Sequence, residues 1–390
     1  MKAAALSLVV LAILLGNARL FLFALNRIAF RQRTHHDRMK WALAGIPPVL
    51  LALSTLYFFF YRAVENGTFD LASKLGAGWT LLTAGAGVYW VVDRAWQNAK
   101  QNEVSGVRSL EPEVVAMRRA HIPFAFLRKL GAHNDVYDLE VTVHEVAIDD
   151  LPMAFDGYKI AFLSDTHVAP FMRRDLYREI VAQIRKRETD LVLLGGDYVT
   201  WKRHIPLMAE LLIGDMQPPD GIYGVLGNHD YWAGAQAVID ALRSRDVRFL
   251  VNQSVELARG DAVIDLVGID EVYRGDPDLE KAFTNVPGDR PCLGVSHHPD
   301  IIDWIGNHRF DLLVCGHTHG GQIRVPYFGA LVVPSRHESK YAAGFFRERN
   351  TLMYVGRGIG AVPPIRILCK PELPLFILRR NAHETVDRLA

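Results

Sequence analysis

The sequence predicts an α/β domain with two packed β-sheets, preceded by a membrane-spanning helical region. Two patterns carry this prediction. Long apolar runs, two of them free of charge, lie within the first 98 residues. From residue 139 onward, short β-branched and aliphatic runs alternate with amphipathic stretches, an order typical of parallel strands joined by right-handed helical crossovers. The later strands have few helices between them, which indicates a second sheet packed on the first.

The predicted organisation has three parts: a transmembrane region (1–98), a connector with a first strand (99–150) and an α/β domain (151–390). A chain of 390 residues is long enough for this organisation and for a large core. The net charge of +1 argues against a nucleic-acid partner, because phosphate binding needs clustered Lys and Arg. The three cysteines have no paired spacing, which excludes a disulfide framework and a cysteine-based zinc site.

The membrane prediction is based on three apolar segments. The run between Lys40 and Arg62 is free of charge and about one bilayer core long. The run between Lys74 and Asp93 is shorter, rich in glycine, and ends in aromatic residues that suit the membrane interface. Residues 3–26 form the first segment, for which a cleaved signal peptide is the alternative. We therefore expect about three membrane helices that serve as an anchor.

The positive residues predict the orientation of this anchor. Lys and Arg are concentrated in the loop after the first segment and in the chain after residue 93, whereas few lie between the second and third segments. This bias places the large C-terminal part in the cytoplasm if residues 3–26 are retained. Cleavage of that segment would place it on the opposite side. Residues 115–131 mix basic and apolar side chains, which suits an interfacial helix or a connector packed on the α/β domain.

The α/β domain shows both structural periodicities. Residues 139–148 alternate like a half-buried strand, and residues 158–165 form a buried strand that ends at Asp165. Residues 175–187 place apolar side chains on one helical face. Two further buried runs end at Asp197 and Asn228, and the second is followed by another predicted helix. Additional strands are predicted at 247–251, 262–269, 292–297, 311–316 and 351–356.

Polar side chains follow five of these strands. Open α/β sheets build their sites at this carboxyl edge, so we expect these side chains to meet there. The five endings are SDTH (164–167), GGD (195–197), GNHD (227–230), SHHP (296–299) and GHTHGGQ (316–322). Asp165 and His167 are two residues apart and can chelate one ion. Asp197 follows two glycines, so its two oxygens can be shared between ions. The set is completed by Asn228, His297, His317 and His319.

In their order and spacing, these five motifs closely resemble those of the calcineurin-like metallophosphoesterases, over residues 150–380. The tail (354–379) resembles the closing strands of bacterial membrane-linked members, a branch that includes enzymes acting on a nucleotide-sugar-linked lipid. The resemblance implies a double β-sheet sandwich flanked by helices and a dinuclear metal centre. One ion would take Asp165, His167, Asp197 and His319. The other would take Asp197, Asn228, His297 and His317.

The donor types favour Mn²⁺, with Fe or Zn²⁺ as alternatives, because oxygen and imidazole ligands occur without thiolate. His298 is the alternative to His297, although the family pattern places the ligand two residues before Pro299. Cys315 is expected to be a buried apolar residue, and His204 a surface residue. Arg357 is also expected at the surface, and it is the best candidate for a phosphate contact.

The resemblance predicts a metal-dependent hydrolase of phosphodiester or pyrophosphate bonds. Metal-activated water would attack phosphorus, His229 would protonate the leaving oxygen, and Asp230 would orient His229. A lipid-linked substrate is favoured because the site is tethered at a membrane. The alternatives are a soluble nucleotide or phosphoprotein substrate and, third, a non-catalytic binding module on the same scaffold.

Overall fold

The computed structural model describes residues 12–13, 15–17, 20, 71–101, 104–116, 133–326, 329–330 and 332–381. The chain divides into two compact units. The first contains Met1–Asn102 and Tyr327–Glu338, and the second contains Glu103–Pro326 and Ser339–Ala390. The second predicted membrane segment, and nearly all of the first segment and of the 115–131 stretch, lie outside the described residues.

Helix α1 (Leu71–Gln101) is the main described element of the first unit. Within it, Lys74–Asp93 is, among the described residues, the one stretch long and apolar enough to cross a membrane. Trp79 donates from Nε1 to Asn17 Oδ1 over 3.2 Å, and a Cβ at Gly87 would lie 2.1 Å from the Ala12 carbonyl oxygen. Glycine therefore lets the two backbones approach closely, as in helix pairs within membranes. The third predicted segment thus has a helix of sufficient length.

The described α-helices of the second unit are short. They are α2 (Arg174–Lys186), α3 (Ile205–Leu211), α4 (Asn228–Ala233), α5 (Ala235–Arg243) and α6 (Leu279–Ala282). The first nine strands are β1 (Val107–Ser109), β2 (Glu113–Ala116), β3 (Asp138–Ile148), β4 (Lys159–Leu163), β5 (Leu191–Leu194), β6 (Ile222–Gly224), β7 (Val247–Phe249), β8 (Gln253–Arg259) and β9 (Ala262–Gly268). The others are β10 (Cys292–Ser296), β11 (Leu312–Cys315), β12 (Arg324–Val325), β13 (Gly329–Ala330), β14 (Gly344–Glu348), β15 (Thr351–Val355) and β16 (Glu372–Arg380).

The first sheet has the strand order β1-β3-β16-β4-β5-β6-β7, with β2 also paired to β3. Strands β4 to β7 are parallel neighbours, which confirms the predicted parallel core. The C-terminal strand β16 lies between β3 and β4, parallel to the former and antiparallel to the latter. The first and last strands of the unit are thus joined in one sheet.

The second sheet has the order β14-β15-β11-β10-β9-β8. Its central strands β9, β10, β11 and β15 are parallel, while β8 and β14 close the edges in antiparallel pairs. Parallel strands end at a common edge, so the loops after β10 and β11 leave the sheet together.

Among the described residues, three apolar cores hold these layers together. One lies between the first sheet and helices α2, α3 and α5. The second consists of side chains from both sheets, including Phe162, Leu266, Val314 and Phe376. The third covers the outer face of the second sheet. The unit is therefore a mixed α/β sandwich with helices outside its sheets, as predicted.

Candidate metal centre

The polar strand endings of both sheets meet at one edge of the sandwich. Asp165 follows β4 and Asp197 follows β5, while His297 and His317 follow β10 and β11 of the second sheet. His317 N donates to the Asp165 carboxylate over 3.0 Å, and His297 Nδ1 donates to the Gly195 carbonyl over 2.7 Å. These contacts join the two sheets at the site.

Several of the same residues have a strained backbone. Positive φ angles of 43–70° occur at Asp165, His167, Asp197, His317 and His319. Residues with a Cβ rarely adopt this region, and such conformations persist where the surroundings enforce them, commonly at functional sites. Five of the seven predicted ligands therefore have a backbone conformation that the surrounding structure must enforce.

Asp165, His167 and His319 form the first ligand group. His167 Nε2 lies 3.2 Å from His319 Nε2, and His319 Nε2 lies 3.5 Å from Asp165 Oδ1. Burial lowers the pKa of both imidazoles. His167 Nδ1 is hydrogen-bonded to Thr200 Oγ1 at 2.9 Å, which fixes the ring. Two neutral imidazoles facing each other through Nε2 form a donor pair suited to a cation.

Asp197, His297 and His317 form the second group. His297 Nε2 lies 3.1 Å from His317 Nδ1 and 3.4 Å from Asp197 Oδ2. Burial opposes charge on His297, but the Asp197 carboxylate raises its pKa to about 10. Because Gly195 O accepts from Nδ1, the additional proton belongs to Nε2, at the centre of the group. A metal ion would take the position of this proton.

The Asp197 carboxylate lies between the two groups. Its Oδ2 is 3.7 Å from His167 Nε2 and 3.4 Å from His297 Nε2. Burial opposes its ionisation, yet the neighbouring histidines hold its pKa well below the usual range. A Cβ at Gly227 would lie 2.3 Å from Asp197 Oδ1, so the glycine allows the GNHD loop to approach this carboxylate.

Asn228 provides a direct test of whether these residues fit a metal. It is 7% exposed, and its buried Oδ1 has no hydrogen-bond partner. An unsatisfied buried acceptor costs about 1–3 kcal/mol, so such atoms are uncommon without a purpose. A hard oxygen donor beside Asp197 would be satisfied by a cation, and the residues therefore fit a metal centre.

The neighbouring histidines 297 and 298 differ in environment. His298 Nδ1 accepts from Asp300 N over 3.1 Å, and its ring packs 4.8 Å from Tyr273 and 3.9 Å from His317. A ligand atom of His297 lies within 4.8 Å of ligand atoms of Asp197 and His317, whereas His298 belongs to no such group among the described residues. The geometry favours His297 as the ligand.

His229 borders both groups. Its backbone amide donates to Asp197 Oδ1 over 2.7 Å, and its ring lies 4.7 Å from that of His167. Burial lowers its pKa. A ligand atom of His229 also lies within 4.8 Å of His167 and Asp197. The ring can therefore reach a group bound at the centre.

Asp230 is fully buried and shapes the backbone of the site. Oδ2 accepts from Asp197 N at 2.8 Å and Gly227 N at 2.9 Å, while Oδ1 accepts from Tyr198 N at 3.0 Å. Burial and Asp197 raise its pKa to about 8. These bonds fix the relative position of two ligand-bearing loops. The predicted pairing of Asp230 with the His229 ring stays a prediction.

Two expectations from the sequence are wrong. Arg357 is only partly exposed, and its guanidinium is paired with Glu372, at 2.9 Å, and with Glu140. It is therefore already neutralised. His204 is 7% exposed and packs against the Trp201 ring, so it is not a surface residue either. Cys315 is fully buried, as predicted.

Arg366 is a residue that the sequence analysis missed. It is fully buried, and its guanidinium donates to the carbonyl oxygens of Arg357 (2.9 Å) and Gly358 (3.1 Å). It also reaches His319 O at 3.4 Å. The available signal was a single arginine in an apolar run (361–369) directly before the last strand.

The fold and this cluster define a hydrolase class in which paired carboxylate and imidazole ligands hold metal ions. The model of the calcineurin-like phosphoesterase family matches residues 158–321. Phosphodiesterase YaeI of Escherichia coli (strain K12) is 31% identical over 230 residues, which are 57% of this chain and 82% of that protein. The chain belongs to the calcineurin-like phosphoesterases, as the motif resemblance indicated, and is a metal-dependent phosphoesterase.

Two further relatives are similar over longer segments. Uncharacterized metallophosphoesterase YkuE of Bacillus subtilis (strain 168) is 29% identical over 267 residues, covering 66% of this chain and 90% of that protein. A transmembrane protein with metallophosphoesterase domain from Danio rerio is 27% identical over 271 residues, covering 66% of this chain and 61% of that protein.

Proposed function

We propose that this protein is a membrane-anchored phosphodiesterase with two divalent metal ions, and that its substrate is lipid-linked. The scissile bond is a phosphodiester or a pyrophosphate. The proposed ligand sets are those of the sequence analysis, with Asp197 shared between the two ions. Asp165, His167 and His319 complete the first set, and Asn228, His297 and His317 complete the second.

The position of Asp197 is the main observation that supports a centre with two metal ions. One carboxylate oxygen faces an imidazole of each ligand group, at 3.7 and 3.4 Å. A carboxylate in this position can join two cations into one centre. Two such ions would lower the pKa of a shared water and neutralise charge on the phosphoryl oxygens. Oxygen and imidazole donors without thiolate support Mn²⁺, with Fe or Zn²⁺ as alternatives.

The protein's own residues would orient the reaction. His229 reaches the centre without being needed in either ligand set. Its proposed role is to donate a proton to the leaving oxygen as the bond to phosphorus breaks. Asp230 would keep the Asp197 and GNHD loops in register through its three amide hydrogen bonds. Removal of the His229 side chain is therefore expected to slow protonation of the leaving oxygen. Removal of the Asp230 side chain is expected to disturb the positions of the two loops.

Three observations support membrane anchoring. The segment Lys74–Asp93 is helical and long enough to cross a bilayer. The apolar runs before it in the sequence add further candidate spans. Two relatives, from Danio rerio and Bos taurus, are named transmembrane proteins with a metallophosphoesterase domain. Eight Lys or Arg residues near the predicted spans lie on one side and three on the other, which supports a cytoplasmic catalytic domain.

Exposed aromatic residues support a lipid-linked substrate. Phe171 and Trp201 are 39% and 40% exposed, and their rings lie 5.8 Å apart. Trp201 directly follows Thr200, the residue that binds His167. The exposed cation Arg203 lies 5.7 Å from the Trp201 ring centroid. Aromatic side chains beside cations suit a lipid headgroup boundary. The surface formed by Phe171, Trp201 and Arg203 can therefore hold an amphiphilic substrate.

The test compares two diesters with the same nitrophenyl leaving group on the full chain reconstituted in vesicles. One is water-soluble bis(4-nitrophenyl) phosphate, and the other has a long alkyl chain in the bilayer. Chelation should abolish both activities and Mn²⁺ should restore them. The double variant Phe171→Ser, Trp201→Ser should lose roughly tenfold or more of its kcat/KM on the alkyl diester, and much less on the soluble one.

Met153→Ser is the matched control, because Met153 is 71% exposed and precedes β4, at the opposite edge of the sheet. It should preserve both activities. Equal loss on both diesters in the double variant would favour a soluble substrate. Activity that survives complete metal removal would contradict the metal mechanism. A reporter at the C-terminus that is active only outside the cytoplasm would overturn the orientation and favour cleavage of residues 3–26.

A further inference from the structure

Helix α4 carries His229 and, three residues later, Trp232. Residues at this spacing share one helical face. Their ring centroids lie 4.5 Å apart with an interplanar angle of 66°. On its other side the His229 ring contacts His167 at 4.7 Å. His229 is therefore placed between a ligand group and the indole of Trp232, which is 39% exposed.

Arg274 lies against the same indole. Its Cζ is 5.5 Å from the Trp232 ring centroid, a distance at which a cation is attracted to an aromatic face. The residue is half-buried, and none of the salt bridges among the described residues involves its guanidinium. Its donors are therefore available to an incoming anion, and this fork geometry matches phosphate.

Hydrogen bonds hold the two elements in place. Tyr231 donates to Asp270 Oδ1 over 2.6 Å, which ties α4 to the loop after β9. Asp270 Oδ2 accepts from Asp276 N at 2.9 Å, and Glu271 accepts from the backbone amide of Arg274. The carboxylates of Asp270 and Glu271 are thus occupied by backbone amides and a phenol.

We propose that Arg274 and Trp232 form a subsite for a leaving group that carries a second phosphate. The inference rests on the proposed function, in which His229 protonates the leaving oxygen. A leaving group at His229 extends away from the ligand groups and along the indole. Its second phosphate then reaches the guanidinium of Arg274. The favoured substrates have an anionic group beyond the scissile bond, as in a pyrophosphate or a phosphorylated alcohol.

The experiment uses two methyl aryl phosphodiesters on the full chain with Mn²⁺. Their nitrophenol leaving groups differ in one substituent, which is phosphonomethyl in one and ethyl in the other. The wild-type protein should prefer the phosphonomethyl compound in kcat/KM by roughly 10- to 100-fold, the scale of a charge-assisted hydrogen bond. Added salt should reduce the preference. Arg274→Gln should bring the ratio close to one, and Arg274→Lys should keep only part of it.

Arg248→Gln is the matched control. Arg248 also lies over an aromatic ring, 5.6 Å from the Tyr223 centroid, but it belongs to β7 and to no ligand loop. This variant should keep the wild-type ratio. A wild-type protein without preference, an unchanged ratio in Arg274→Gln, or an equal loss in Arg248→Gln would overturn the subsite.

A binding measurement separates this inference from the proposed function. The free phosphonomethyl nitrophenol should bind the wild-type protein at least tenfold more tightly than the ethyl compound, and Arg274→Gln should remove the difference. This readout needs no turnover. If neither diester is hydrolysed, the proposed function fails while binding still decides the subsite. If both diesters are hydrolysed equally and the binding difference is absent, only the subsite fails.

Discussion

Replacement of Arg366 by methionine should weaken both the fold and one specific ligand group. The guanidinium is fully buried, and its partners are backbone carbonyl oxygens in two loops. The loop 357–360 packs on Asp165, where a Cβ at Gly358 would lie 2.7 Å from the Asp165 Cβ. The other loop contains His319. Arg366 is therefore a positioning residue for two of the three members of the first ligand group.

The size of the effect follows from the hydrogen bonds that methionine cannot make. The carbonyl oxygens of Arg357, Gly358 and Gly360 would lose a buried donor. Each such loss costs about 1–3 kcal/mol, and removal of a buried charge offsets part of it. With three such oxygens and this offset, the net cost should be about 3–5 kcal/mol. For a domain of this size, Tm should fall by roughly 6–20 °C.

Two measurements on the full chain in detergent check this reasoning: thermal unfolding and titration of the metal-free protein with Mn²⁺. The first ligand group (Asp165, His167 and His319) should bind Mn²⁺ roughly 10- to 100-fold more weakly. Losses of this size are typical when a residue that supports a metal ligand is removed. The Asp197–His297–His317 group should change little. Arg324→Met is the control, because the Arg324 side chain makes, within the described part of the chain, a single 3.4 Å bond to Gly320 O and is only partly buried. Unchanged Tm and affinity in Arg366→Met, or equal losses in both variants, would refute the positioning role.

Three further outcomes are expected. Asp197→Ala should lose both metal ions in elemental analysis, whereas His297→Ala should lose mainly one; retention of both ions in Asp197→Ala would contradict a shared ligand. His229→Ala should keep its metals but lose about 10²–10⁴-fold in kcat on substrates with a poor leaving group, and much less on nitrophenyl esters; equal losses would indicate positioning instead. Burial opposes the charge of Glu372, but Arg357 lowers its pKa to about 2 from 4.5, so its contribution to stability is present above pH 4.5 and is lost toward pH 2. Acid unfolding of Glu372→Gln should therefore lack this dependence, and an unchanged acid profile would argue against the ion pair.

Much of the site could be predicted because its residues directly follow strands that are recognisable in the sequence. Buried strands are continuous apolar runs, and the polar residues directly after them must lie at one edge of a parallel sheet. This logic applies to Asp165, Asp197, His297 and His317 without any knowledge of how the sheets pack. The resemblance of the ordered motifs to one family then supplied the expected pairing of ligands. The roles of these ligands remain to be tested by the variants above.

The sequence by itself determined the order of strands and helices, the family, and the residue types available for metal binding. The tertiary structure decided which charges are satisfied and which remain available. Arg357 is neutralised by Glu372, fifteen residues away, and by Glu140, 217 residues away. Arg366 is enclosed by carbonyl groups, and Arg274 has an aromatic neighbour instead of an acidic one. Periodicity reports only which face of an element is buried. The partner of a charge depends on distances between loops, and these are set when β16 enters the first sheet and the two sheets pack.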